Sequence, residues 1–222
     1  MTDGSPLEHK RILILAPHPD DEVVGCGAAV RRARKAGASV YVIFLTNGVP
    51  APHSPKPGSV SDYQERVVRR RNEAMQVADT MGFTPVGFPN IPSRNLKGHF
   101  VETREAIVRA VERYGIGALW APAYEGGHQD HDAANVLAST FGSSLNVYEF
   151  AEYNFSGASV QCNAFPEPDG REHVLFLTPA EQERKRALLA CYRSERSNLA
   201  FARMEQECFR PLPEYDYAKP PH

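Results

Sequence analysis

The run Arg11-Ile-Leu-Ile-Leu-Ala16 constrains the fold of this chain more than any other feature. It is continuously apolar and branched, with no alternation of polar and apolar side chains. A strand made from it is buried on both faces, which happens in a parallel sheet covered by helices on both sides. From about Asp21 to Lys35 the chain has an acidic start, small and apolar residues, a basic end (Arg31, Arg32, Arg34, Lys35) and a glycine stop at Gly37. That pattern predicts a helix. Val40 to Leu45 is a second buried strand, so the opening reads as strand, helix, strand with a short return, the βαβ unit.

The same alternation continues. Helices are expected at Tyr63 to Met81, Val101 to Tyr114 and His131 to Thr140, and strands at Pro85 to Phe88, Ala118 to Trp120 and Leu145 to Phe150. The stretch 47–61, rich in Pro, Gly and Ser, reads as a long loop bordering a site. Beyond Asn154 the pattern weakens to a strand at Val174 to Leu177 and a helix from Pro179 to Tyr192. The expected class is α/β, a Rossmann-like, open, mostly parallel sheet flanked by helices. At 222 residues this makes one domain, 1–222, with 1–10 and 211–222 as irregular tails.

Charge and cysteine usage narrow the function classes. A formal net charge of -2 gives no basic field for DNA, RNA or an anionic membrane surface. The apolar run at Ile12 to Ala16 is too short for a spanning helix or a signal-peptide core. Cys26, Cys162, Cys191 and Cys208 are scattered with no Cys-x-x-Cys pair, which fits a reduced, cytoplasmic protein.

Two clusters of metal-type ligands follow expected strands: Pro17-His-Pro-Asp-Asp-Glu22 and His128-Gln-Asp-His-Asp132. Ligands of open α/β sheets bind beyond the carboxyl ends of the strands, so the two clusters should converge on one crevice. His18 and Asp21 are close enough to face one ion from a tight turn, and His131 completes a His/Asp/His set with an open position. That set suits Zn²⁺, and iron(II) also accepts it. Asp20 is left over as a base for water. Read alone, Asp20 and Asp21 also suit a helix N-cap; it is the pairing of both clusters that points to a metal centre. Gly25-Cys-Gly27 lacks the third glycine of a dinucleotide fingerprint and is not read as one.

These residues resemble the PIG-L/LmbE-like zinc-dependent deacetylases, amide hydrolases acting mainly on N-acetylglucosamine-type substrates. The likeness rests on Pro17 to Glu22, Thr46-x-Gly48, Arg70-x-x-Glu-Ala74 running to Gly82, Gly127-His-Gln-Asp-His-Asp132, and the helix-like run Lys185 to Ser194. It implies His18, Asp21 and His131 as zinc ligands and Asp20 as the general base. It implies His128 as the group that stabilises the oxyanion or protonates the leaving amine, with Asp130 orienting that imidazole and keeping it cationic. Arg70 and Asn90, at family-motif positions, together with Arg94 and with Tyr124 just before His128, are the expected substrate contacts.

The chain departs from the family pattern at Gln129, where proline is common, and at Val49 and Asn90, where acidic residues are common. The last two fall where substrate hydroxyls are held, so the resemblance reaches further for the amide chemistry than for the substrate. The resulting expectation is a zinc-dependent N-deacetylase of a small N-acetylated substrate, with no nucleic-acid or membrane partner. Family members often assemble, but the sequence shows no unambiguous interface stripe, so a homo-oligomer is left open. The alternatives are a sugar- or metal-binding module with decayed catalysis, and a phosphoester hydrolase of the His-Asp dyad type, which the strand-rich opening disfavours.

Overall fold

The computed structural model describes residues 4–52, 59–157 and 159–221. Five parallel strands form its centre: β1 (Arg11–Ala16), β2 (Ser39–Phe44), β3 (Thr84–Gly87), β4 (Ala118–Pro122) and β5 (Asn146–Phe150). Helices α1 (Asp21–Val24), α2 (Gly27–Lys35), α3 (Ser59–Met81), α4 (Phe100–Tyr114) and α5 (Gln129–Ser139) connect them. A short hairpin, β6 (Tyr153–Asn154) with β7 (Gln161–Cys162), follows. Then come β8 (His173–Phe176), α6 (Pro179–Leu189) and β9 (Gln206–Pro211). The seven-stranded sheet runs β3-β2-β1-β4-β5-β9-β8.

The order explains the apolar run. Along β1, Ile12, Ile14 and Ala16 pack on one face with residues of α1, α2 and α3, while Leu13 and Leu15 pack on the other with residues of α4 and α5. Both sides are covered, so alternation is lost. The chain leaves β1 toward β2 on one side and returns to β4 on the other, so the carboxyl ends of β1 and β4 flank the switch point where a crevice opens.

The mostly parallel sheet is as expected, and two expectations are corrected. The helix from Asp21 to Lys35 is two helices broken at Gly25 and Cys26. A Cβ at Gly25 would lie 2.2 Å from the Phe150 ring, so the break lets the backbone pass against β5. The sheet is mixed at one edge, because β9 runs antiparallel to β5 and β8 antiparallel to β9. No strand was expected at β9, whose Glu207 and Arg210 look like surface residues in sequence. Both are buried and paired: Glu207 with Lys185 Nζ at 2.7 Å and Arg210 Nε with Glu149 at 2.7 Å. Glu207 also accepts the Ala28 and Ala29 amides at 2.8 Å, completing the N-terminus of α2.

Lesser differences concern the ends. The helix expected to reach Tyr192 stops at Leu189, and α3 begins at Ser59 rather than Tyr63. A 3-10 turn at Pro6–Glu8 interrupts the first tail. In the second, Pro211 ends β9, and Tyr215 and Tyr217 donate to Glu149 (2.8 Å) and Asn135 (2.7 Å), which ties that tail to the sheet. Among the described residues no helix is long and apolar enough to cross a membrane, and all four cysteines are free thiols.

Candidate active site

The turn after β1 is built by three hydrogen bonds. Thr46 donates its amide (3.0 Å) and its hydroxyl (2.8 Å) to the Pro17 carbonyl, and Arg70 Nη2 donates to the Pro19 carbonyl at 2.7 Å. Gly48 turns under Arg70 at φ +73°, and a Cβ there would meet Arg70 Nη2 at 2.8 Å. The spacing of the Thr46-x-Gly48 element therefore has a physical basis in a hydroxyl clamp and a close approach. Asp20, at the start of α1, has φ +143°, a strained value for a residue with a side chain. Its amide donates to Glu22 Oε2 at 3.0 Å, and Tyr192 donates to the other oxygen of Glu22.

The expected ligands converge. His18 Nδ1 lies 3.2 Å from Asp21 Oδ2, and His131 Nε2 lies 3.4 Å from Asp21 Oδ1, all three residues being buried. Two imidazoles thus face the two oxygens of one carboxylate from the ends of β1 and β4. Ligand atoms about 2.1 Å from a tetrahedral zinc ion lie about 3.4 Å apart, so this donor set fits a divalent transition ion. A ligand atom of His128 also comes within 4.8 Å of those of His18 and His131. A cleft of about 420 Å³ opens over these groups, bordered by Arg70, Arg94 and Glu195 among others.

Asp20 is beside this set and not part of its pairing. Its Oδ2 accepts from Arg70 Nη2 at 3.3 Å, and Arg70 Nη1 pairs with Glu195 at 2.6 Å. Burial pushes the Asp20 carboxyl up to about 6 against the opposing pull of Arg70, where a base is poised near neutrality.

Asp130 has a different partner from the one expected. Its Oδ2 accepts from the Arg94 amide at 2.5 Å and lies 3.0 Å from His18 Nε2, while the Leu96 amide donates to Oδ1 at 3.2 Å. It orients His18, in the manner of a carboxylate behind a ligating imidazole. His128 Nδ1 lies 3.9 Å from that carboxylate and instead accepts the Asp130 amide at 3.1 Å as the cap of α5. With Nδ1 accepting, the neutral ring carries its proton on Nε2. Burial, with His18 and His131 adding to it, pushes His128 down to about 4, so it is not held cationic.

The substrate contacts divide. Arg70 and Arg94 border the cleft. Asn90 is held by Asn47 Nδ2 at 3.2 Å, which also donates to Tyr63 at 2.7 Å; Asn90 does not line the cleft. Tyr124 donates to the Lys219 carbonyl at 2.7 Å and packs on Tyr215 and Tyr217, away from the site. Within the expected loop 47–61, Gly48 and Pro50 border the cleft, while 53–58 lie outside the described residues. The arginines of α3 are placed differently: Arg66 borders the cleft, Arg70 is buried, and Arg71 lies over the Phe88 ring. Sequence reading missed Glu152, Tyr153, Phe155, Glu195 and Phe201, which line the cleft from the second half of the chain and belong to no motif.

An open α/β sheet with a buried His/Asp cluster at its switch point and a spare carboxylate beside it defines a class of site that could hold a metal ion. The family model described as PIG-L, GlcNAc-PI de-N-acetylase, matches residues 13–141, more than half of the chain, and the chain belongs to that family. The diacetylchitobiose deacetylase of Thermococcus kodakarensis is 32% identical over 133 residues, covering 58% of this chain and 47% of that protein. The 2'-N-acetylparomamine deacetylase of Streptomyces fradiae is 28% identical over 144 residues, covering 56% and 50%. The chain thus spans about half the length of the curated relatives it matches. A triple mutant of a deacetylase of the teicoplanin biosynthetic pathway has the same fold, with a TM-score of 0.72, 19% identity, and coverage of 93% of this chain and 99% of that one.

Proposed function

We propose that this chain is a metal-dependent amide hydrolase that removes an acetyl or related acyl group from an N-acetylated amino sugar or similar N-acyl conjugate. The observation that carries this reading is Asp20: a buried carboxylate poised near neutrality beside the His18, Asp21 and His131 donors, yet outside their pairing. Binding alone has no use for a spare base. The relatives named as deacetylases support the same reaction class.

His18, Asp21 and His131 would hold the ion, zinc or iron(II), which when bound supplies Lewis acidity to the acyl carbonyl oxygen. Asp20 Oδ1 or Oδ2 takes the proton of the attacking water, with Arg70 fixing the carboxylate. His128 directs Nε2–H toward the developing oxyanion, because its Nδ1 is occupied by the Asp130 amide. The proton held by Asp20 then passes to the departing nitrogen as the amide C–N bond breaks, giving the carboxylic acid, which ionises in water, and a free amine. Arg94, exposed at the cleft rim, offers a guanidinium to polar substituents of the substrate.

The test is amine release from a panel of N-acetylated amino sugars and longer N-acyl conjugates, with zinc-loaded and chelator-stripped protein side by side. Turnover of a panel member that depends on added metal is the expected result. A metal-replete protein inert on every member would remove the amidase reading.

A further inference from the structure

Glu152 follows β5, the strand beside β4, and is 1% exposed. A carboxylate oxygen of Glu152 lies within 4.8 Å of ligand atoms of both Asp21 and His131. Its position is imposed by the backbone, because the Glu125 carboxylate accepts the Glu152 amide at 2.8 Å and the Tyr153 amide at 3.1 Å. Yet Glu152 Oε1 is buried without a hydrogen-bond partner among the described residues. Leaving such an oxygen bare is unfavourable, and protonation does not remove the problem, since the acid's oxygens need partners too.

The charges that act on Glu152 sharpen the point. Its acidic neighbours are Asp21, within 4.8 Å, and Glu125, which accepts its amide, while the nearby Lys185 ammonium is already spent on Glu207 at 2.7 Å. A buried carboxyl group with one oxygen bare and an oxygen within 4.8 Å of two metal-type donors is suited to a cation.

We propose that Glu152 is a fourth protein ligand of the ion held by His18, Asp21 and His131, so that three strand ends, those of β1, β4 and β5, contribute to one centre. This rests on the reading that those three residues hold a metal. Two imidazoles and two carboxylates neutralise a divalent ion. They also require more than four coordination positions if one is to stay open, which five-coordinate zinc or iron(II) provides.

The experiment is metal affinity by chelator competition, with bound ion counted by elemental analysis, for wild type, Glu152→Gln, Glu152→Asp and His131→Ala. The melting temperature of each stripped protein is measured in parallel. A ligand role predicts that Glu152→Gln weakens zinc binding at least about tenfold while the stripped protein melts as wild type does. A purely structural role predicts the reverse, a lower melting temperature with unchanged affinity, and overturns the proposal. If Glu152→Gln fails to fold, Glu152→Asp decides, because the carboxylate is withdrawn by one methylene: weaker binding supports the proposal and equal affinity sinks it. Wild type binding no ion would instead overturn the underlying metal reading, a separate failure.

Discussion

Up to β5, each candidate site side chain is aimed by a turn a few residues long: His18, Asp20 and Asp21 by the strained start of α1, and His128 and His131 by the capped start of α5. After β5, the cleft walls and the sheet edge behind them are held by partners far away in sequence: Glu195 by Arg70, the Glu152 backbone by Glu125, and β9 by Lys185 and Glu149. The family match at 13–141 falls entirely within the first region. Chemistry held by local turns tolerates change elsewhere, whereas walls held by distant pairs fail with those pairs.

The largest effect should come from the first region. Asp20→Asn keeps the shape of the side chain at this strained position. It removes the base, so kcat on a confirmed substrate is expected to fall about 10²- to 10⁴-fold with the melting temperature held. A collapse in melting temperature would show that Asp20 supports the fold, and the contrast between the regions would be lost.

In the second region the largest loss should be of stability. Glu207→Gln strips the carboxylate from a fully buried lysine and from the first amides of α2. An uncompensated buried charge costs about 3–5 kcal/mol, read as a lower urea midpoint. The remaining folded protein should keep its specific activity, because Glu207 touches no group of the cleft. An unchanged midpoint would mean that β9 is held by something else.

Glu125 joins the regions, and pH tests it. Burial raises its carboxyl from an ordinary 4.5 to about 8, so the folded state holds a proton that the unfolded chain has released. That contribution is complete below about 4.5 and is lost as pH rises through about 8. Glu22, raised likewise to about 8 by burial, acts in the same direction. The melting temperature of the stripped protein should therefore decline from pH 5 to 8, and Glu125→Gln should flatten the decline without abolishing it. A variant with the wild-type slope would show that Glu125 is ionised in the fold.

What could be read in the sequence follows the same division. The parallel sheet, both ligand clusters and the spare Asp20 were legible because a buried strand and the turn after it are written in consecutive residues. The break at Gly25 was not, since its cause is the ring of Phe150, 125 positions away. Neither was β9, whose charged residues are inside because they are paired. Proximity in sequence even misled: Asp130 is two residues from His128, but the turn aims its carboxylate at His18. Glu152 belongs to no motif, and only the packing of β5 beside β4 brings it to the site.

The smallest effect should fall on the outermost wall. Phe155 follows β6, is 55% exposed and borders the cleft beside Tyr153 and Phe201. Because it buries little, Phe155→Ala should change stability by less than about 0.5 kcal/mol. If the wall only gathers the substrate, KM rises a few-fold and kcat stays, the signature of binding shared equally by ground and transition states. A matching fall in kcat would mean that the hairpin contacts the substrate as the amide reacts. The wall would then belong with the turns of the first region, and the line between aiming and enclosing would have to be drawn beyond β7.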